Sequence, residues 1–276
     1  FDPSENSTTN HSTYHCTFLD TNKAYKRKVQ QLINQVFTPH INKFVDKYNI
    51  LTSNFYVKPP GKGKFEIHQN WPTTADMHDT TLTFWCPLVD VTLENGAIQV
   101  VEGSHKIVPD IAAITAEPYF KNFEEALLQK YLKPIDMKAG ECLIFDDGLI
   151  HYSGINQTEN PRLAIQIETV PAECTPVLYH LNPQESNKGF EIFEVDSDFF
   201  IEHGVSALLQ PPPHLKSLGF VPNPNRLITE IEFAEKLKNG NEIRERVYAG
   251  GAFVLEEPPV VVKENFFTRL WKKISN

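Results

Sequence analysis

Between Asn54 and Leu181 short β-favouring runs alternate with turn residues, and this rhythm limits the fold more than any other feature of the chain. Asn54–Lys58 runs into Pro59-Pro60-Gly61, Lys64–Gln69 resumes as a short alternating strand, and Thr81–Leu88 is followed by the turn Glu94-Asn95-Gly96 and the return Ala97–Val101. Further strand signals fall at Ile135–Met137, Glu141–Phe145, Leu149–Tyr152, Leu163–Val170 and Thr175–Leu181. Hairpin spacing without strand-helix alternation predicts an all-β core with flanking helices, a double-stranded β-helix or jelly roll of the cupin-like kind.

Outside that core the pattern changes. Val29, Leu32, Ile33, Val36, Phe37, Ile41, Phe44 and Val45 recur at helical spacing, with Pro39 expected to split or kink the run. Short helices are predicted at Phe123–Leu132 and Thr229–Leu237, and a C-terminal amphipathic helix at Lys263–Ile274. The expected organisation is a flexible arm over residues 1–14, a core domain over 15–183, and an extension over 184–276 that packs on the core or pairs with a second copy as a homodimer.

Composition narrows the class of partner. With 276 residues, 41% hydrophobic and 22% charged, the chain can bury one dominant core. A net charge of -9 argues against a nucleic-acid backbone as partner and leaves a small molecule as the expected one. No run approaches the roughly 18 apolar residues of a spanning helix, and Phe1-Asp2-Pro3 is neither a basic leader nor an apolar signal core, so the expected compartment is cytoplasmic. Cys16, Cys86, Cys142 and Cys174 lack paired spacing; the last three lie in apolar strand-like runs and are expected to be buried free thiols. Sequons stand at Asn6, Asn10 and Asn156.

The chemistry centres on His68-Gln69-Asn70-Trp71-Pro72. Strand alternation puts His68 and Asn70 on one face, and His151 ends a second strand after the turn Asp146-Asp147-Gly148. Two imidazoles with an oxygen donor between them suit Fe(II), although a histidine hydrogen-bonded inside the core is the competing structural reading. Arg162 opens a third strand, and its planar fork of donors matches a carboxylate.

Four segments then carry a resemblance: HQNWP at 68–72, FWCPLVDVTLENGAIQVVEGSHK at 84–106, GECLIFDDGLIHYSG at 140–154 and NQTENPRLAIQIE at 156–168. In this order they resemble the phytanoyl-CoA dioxygenase family of Fe(II)- and 2-oxoglutarate-dependent oxygenases. The resemblance implies that His68, Asn70 and His151 hold the iron. It further implies that Arg162 clasps the distal carboxylate of 2-oxoglutarate, that Ser153 or Thr83 adds a hydroxyl to it, and that Trp85 and Gln99 line the cavity. The activity implied is hydroxylation of an unactivated C-H with O2, releasing succinate and carbon dioxide.

One position departs from the family, whose motif is His-x-Asp where this chain has His68-Gln69-Asn70. Four readings stand: the Asn70 carbonyl ligates; the position opens to water or an anion; Asp76 or Asp79 swings in; or catalysis is lost. An introduced substitution is a further source of the Asn. The alternative to an oxygenase is therefore a catalytically silent barrel that binds a ligand or partner, or a cupin-like metalloenzyme that uses no keto acid.

Overall fold

The computed structural model describes residues 14–76, 79–107 and 111–239. The short strand β1 (His15–Cys16) leads into α1 (Lys23–Ile41), whose N-terminus is capped by the Asn22 side chain accepting from the Tyr25 backbone N–H. Ile33, Phe37 and Ile41, four residues apart, form its buried stripe. Pro39 neither splits nor kinks the element into two helices. It lies in the last turn, and the helix stops at Ile41.

The strands that follow are β2 (Tyr48–Lys58), β3 (Phe65–His68), β4 (Leu82–Pro87) and β5 (Ile98–Val100). A helical turn, α2 (Glu124–Ala126), continues as a π turn to Tyr131 before β6 (Lys133–Pro134). Then come β7 (Leu143–Asp146), β8 (His151–Ser153), β9 (Arg162–Pro171), β10 (Val177–His180) and β11 (Phe190–Glu194). The chain closes its described part with α3 (Ser197–Glu202), α4 (Val205–Leu209), β12 (Ser217–Val221) and α5 (Glu230–Asn239).

All strand pairs are antiparallel, and they form three sheets in the orders β1-β2-β9-β4-β7, β3-β8-β5-β6 and β10-β11-β12. The expected double-stranded β-helix is corrected here. Among the described residues the three sheets stay open, with no edge strand of one hydrogen-bonded to an edge of another, and helices flank them in a mixed α/β arrangement. The hairpin rhythm of the sequence sets local pairing, but closure depends on pairing between distant edges, which that rhythm does not encode.

The five-stranded sheet is covered on both faces, which is why all six residues of β4 are buried. Leu82, Phe84 and Cys86 meet Ile33, Phe37 and Ile41 of α1 on one side. Trp85 joins Ala164, Ile98, Val100 and Leu149 in a second core on the other, between the five- and four-stranded sheets. The third sheet packs through Val177, Tyr179, Phe190 and Ile192, while Leu178 joins Leu51, Val170, Phe199, Phe200 and Leu208.

One expected strand shifts: the Ile135–Met137 signal becomes β6 at Lys133–Pro134 plus an isolated bridge from Met137 to Val91. Residues 1–13 of the expected arm over 1–14 and the helix expected at Lys263–Ile274 lie outside the described residues. Cys142 is exposed, against expectation, because it precedes the edge strand β7.

Phe37 anchors α1 to β2, β4 and β9, so Phe37→Ala is expected to cost about 3–5 kcal/mol. Equilibrium urea unfolding should read this as a lower midpoint at unchanged slope.

Candidate functional site

Two of the three sequence-predicted segments face each other directly. The β3–β8 ladder sets His68 directly opposite His151, with ring centroids 4.1 Å apart. Each ring is oriented by its own backbone: His68 Nδ1 bonds the Glu66 carbonyl at 2.7 Å and His151 Nδ1 bonds the Leu149 carbonyl at 2.9 Å. These bonds put the proton on Nδ1 and leave Nε2 with its lone pair. Burial lowers both pKa values, and for His151 the neighbouring His68 lowers it further, so the pair is neutral near pH 7.

Asn70 is buried at the end of this strand, its backbone N–H bonded to the Asp147 carbonyl. Its side-chain NH2 donates to Thr83 Oγ1 at 2.7 Å, tying the segment after β3 to the fully buried Thr83 of β4. The amide is thus engaged as a neutral structural donor.

Arg162 lies at the start of β9, 3% exposed, with its Nη2 3.4 Å from Ser153 Oγ and its guanidinium 5.3 Å from the centre of the Trp85 ring. Its Nε has no hydrogen-bond partner, and among the described residues no carboxylate pairs with it. Desolvation pulls its pKa down to about 10. A guanidinium held this deep without a counterion is costly unless an anion joins it.

Sequence reasoning missed Lys58, which looks like a surface residue before a Pro-Pro-Gly turn. It is fully buried and sits directly opposite Arg162 in the β2–β9 ladder. Its Nζ donates to the Ser153 carbonyl at 3.0 Å, Ser153 Oγ at 2.5 Å and the Gly154 carbonyl at 2.6 Å, which uses all three ammonium donors. Burial and then the Arg162 charge pull its pKa down to about 6. Two glycines at positive φ make room for the stem: a Cβ on Gly63 would lie 2.7 Å from Lys58 Cγ, and one on Gly96 would lie 3.0 Å from Nζ. Pairing across the strands was the missing signal, since it alone places two cations face to face.

Ser153 therefore links the cations, donating its own hydroxyl to the Gly96 carbonyl at 2.7 Å. Asn156 closes the adjoining loop: it is fully buried and its Nδ2 donates to the Lys58 and Asn160 carbonyls. That engagement removes Asn156 as a glycan acceptor in the folded chain. Asn6 and Asn10 lie outside the described residues.

The expectation of an iron-dependent oxygenase with Fe(II), 2-oxoglutarate and O2 is corrected by the donor set. Among the described residues no three His, Cys, Asp or Glu side chains are grouped to hold a metal ion. Position 70 supplies an amide whose NH2 is committed to Thr83, so His68 and His151 lack the carboxylate that would complete a facial triad. Asp76 and Asp79 do not complete it either, since Asp79 instead accepts from the Cys174 thiol at 3.1 Å. Met77 and His78 lie outside the described residues. The residues present do not fit ferrous iron, and hydroxylation is not supported.

Among the described residues no helix is long and apolar enough to cross a membrane. Comparison with known proteins places the chain more firmly. Residues 3–164 match the family described as phytanoyl-CoA dioxygenase (PhyH). Similar proteins include the dioxygenase olcK of Penicillium canescens, 28% identical over 40% of this chain and 32% of that protein. A phytanoyl-CoA dioxygenase domain-containing protein 1 homolog of Dictyostelium discoideum is 25% identical over 47% and 49%, and the multifunctional dioxygenase ausE of Aspergillus calidoustus is 32% identical over 41% and 36%. The chain thus spans about half or less of the length of these relatives. Among solved structures, the non-heme alpha ketoglutarate dependent carbocyclase SnoK from nogalamycin biosynthesis aligns at a TM-score of 0.47 and 19% identity, over 59% of this chain and 64% of that one. By the match across more than half its length, this chain is a member of the phytanoyl-CoA dioxygenase family.

Proposed function

We propose that this chain is a catalytically silent member of its family that binds a small carboxylate-bearing molecule at Arg162. The observation that carries this reading is the buried, unpaired guanidinium of Arg162, with a partnerless Nε and the Trp85 ring beneath it. A carboxylate against Arg162 would supply the missing negative charge and accept from its fork of donors. Ser153 adds a hydroxyl beside it, and Lys58 adds positive potential from behind. His68, His151, Asn70 and Thr83 form the neutral end of the site, contributing hydrogen-bonding atoms rather than a metal triad.

Binding of glutarate, measured by isothermal titration calorimetry, is the direct test. Arg162→Leu should weaken it at least tenfold while leaving the melting temperature equal or higher, because the substitution removes an uncompensated buried charge. Glutarate binding that survives in Arg162→Leu would overturn the reading.

Silence is tested separately. With Fe(II), 2-oxoglutarate and O2 supplied, no carbon dioxide release above the protein-free background is expected, and enzyme-dependent release would refute silence. Asn70→Asp restores a carboxylate beside the two imidazoles and should tighten Co(II) binding, followed by its absorption spectrum, by about tenfold or more.

The pH dependence follows from Lys58. Its pKa of about 6 means the amine loses charge as pH rises through that value, and a nearby anion favours the charged form. Glutarate affinity should therefore fall as pH rises from 5.5 to 8, with proton uptake on binding at the upper end. Lys58→Met should flatten this profile; a steep profile in the variant would remove Lys58 as its cause.

A further inference from the structure

The β4–β7 ladder pairs Leu82 with Asp146, Thr83 with Phe145, Phe84 with Ile144 and Trp85 with Leu143. One step further along the same antiparallel register sets Cys86 opposite Cys142. Directly opposed residues in such a pair lie about 4.5–5.5 Å apart at Cα and point to the same face. That separation falls within the range of about 4.4–6.8 Å that a disulfide spans. The neighbouring Cys142 thiol, and then burial, hold the Cys86 thiol well above the ordinary thiol range. Both thiols are free.

We propose that Cys86 and Cys142 are a thiol pair that peroxide oxidises to a reversible cross-strand disulfide. The two sulfurs differ in access, which orders the steps. Cys142 is exposed beside an edge strand, while Cys86 is 2% exposed in the core under α1. Cys142 as thiolate attacks hydrogen peroxide, the O–O bond breaks, and a sulfenic acid and hydroxide form. The Cys86 sulfur then attacks the Cys142 sulfur, the S–S bond forms, and the S–O bond breaks. The departing oxygen leaves as water, taking the Cys86 proton. The hydroxide takes up the proton that Cys142 lost on ionising, so the two thiols lose two electrons in total and one peroxide becomes two waters.

The other two cysteines are differently placed. Cys16 is buried on β1, and the Cys174 thiol is bonded to Asp79. A Cys86–Cys142 bond would tie the edge strand β7 to β4, the strand that carries Thr83 and Trp85 into the ligand site.

The test is titration of the full chain with hydrogen peroxide, followed by intact mass, alkylation and peptide mapping under non-reducing conditions. The expected result is loss of about 2 Da, protection of residues 86 and 142 from alkylation, and a linked peptide that dithiothreitol releases. The melting temperature should rise by about 5–10 °C on oxidation, because the bond closes a long loop in the unfolded chain. Cys142→Ser, a substitution at an exposed position, should abolish the linkage and the thermal shift. Oxidation that stops at a sulfinic acid on Cys142 with Cys86 still alkylatable would overturn the proposal, as would a bridge from Cys142 to another chain.

Discussion

Two cations facing each other across the β2–β9 ladder set the terms for the rest of the site. Lys58 and Arg162 occupy the last register step of the longest strand pair in the described structure. Like charges directly opposite in a sheet repel, and burial together with the Arg162 charge pulls the Lys58 pKa down to about 6, so the amine gives up its proton near neutral pH. The ladder holds because its other pairs run from Tyr48↔Pro171 to Val57↔Leu163, most of them packed between buried layers. The repulsion is then managed locally: Lys58 is surrounded by oxygen acceptors, and Arg162 lies over the electron-rich face of Trp85. Neither device supplies a negative charge.

The surroundings are shaped to preserve that deficit. Gly63 and Gly96 leave only enough space for the Lys58 stem, and Asn156 binds the Lys58 carbonyl on one side and its own loop on the other. Replacing Lys58 with a larger apolar residue would meet the same narrow tunnel, and replacing either glycine would meet the lysine. Backbone at positive φ, a buried amide clamp and a buried ammonium therefore constrain one another, and the position of Ser153 follows from all three.

How much of this was legible in the sequence depends on the range of the interaction. The Ile33-Phe37-Ile41 stripe and the strand signals at Thr81–Leu88 and Leu163–Val170 are local or short-period patterns, and they were readable. The pairing of His68 with His151 lay behind the motif order. Lys58 was not readable, because its burial results from a partner strand more than a hundred residues away and from two glycines in separate turns. Sheet closure was overestimated for the same reason: hairpin signals describe neighbours, while closure is a property of distant edges. Position 70 was legible as an anomaly, but only the bond to Thr83 reveals what the amide does instead.

The two halves of the site carry different weight as indicators of function. A neutral histidine pair bonded to its own backbone is inexpensive to keep, since each ring satisfies one nitrogen locally and packs against its neighbours. A buried guanidinium without a counterion is not, because no carboxylate among the described residues offsets its desolvation. Exchange of Arg162 for an apolar residue of similar length would relieve both its desolvation and its effect on Lys58. Of the two halves, the guanidinium is therefore the costlier group to bury.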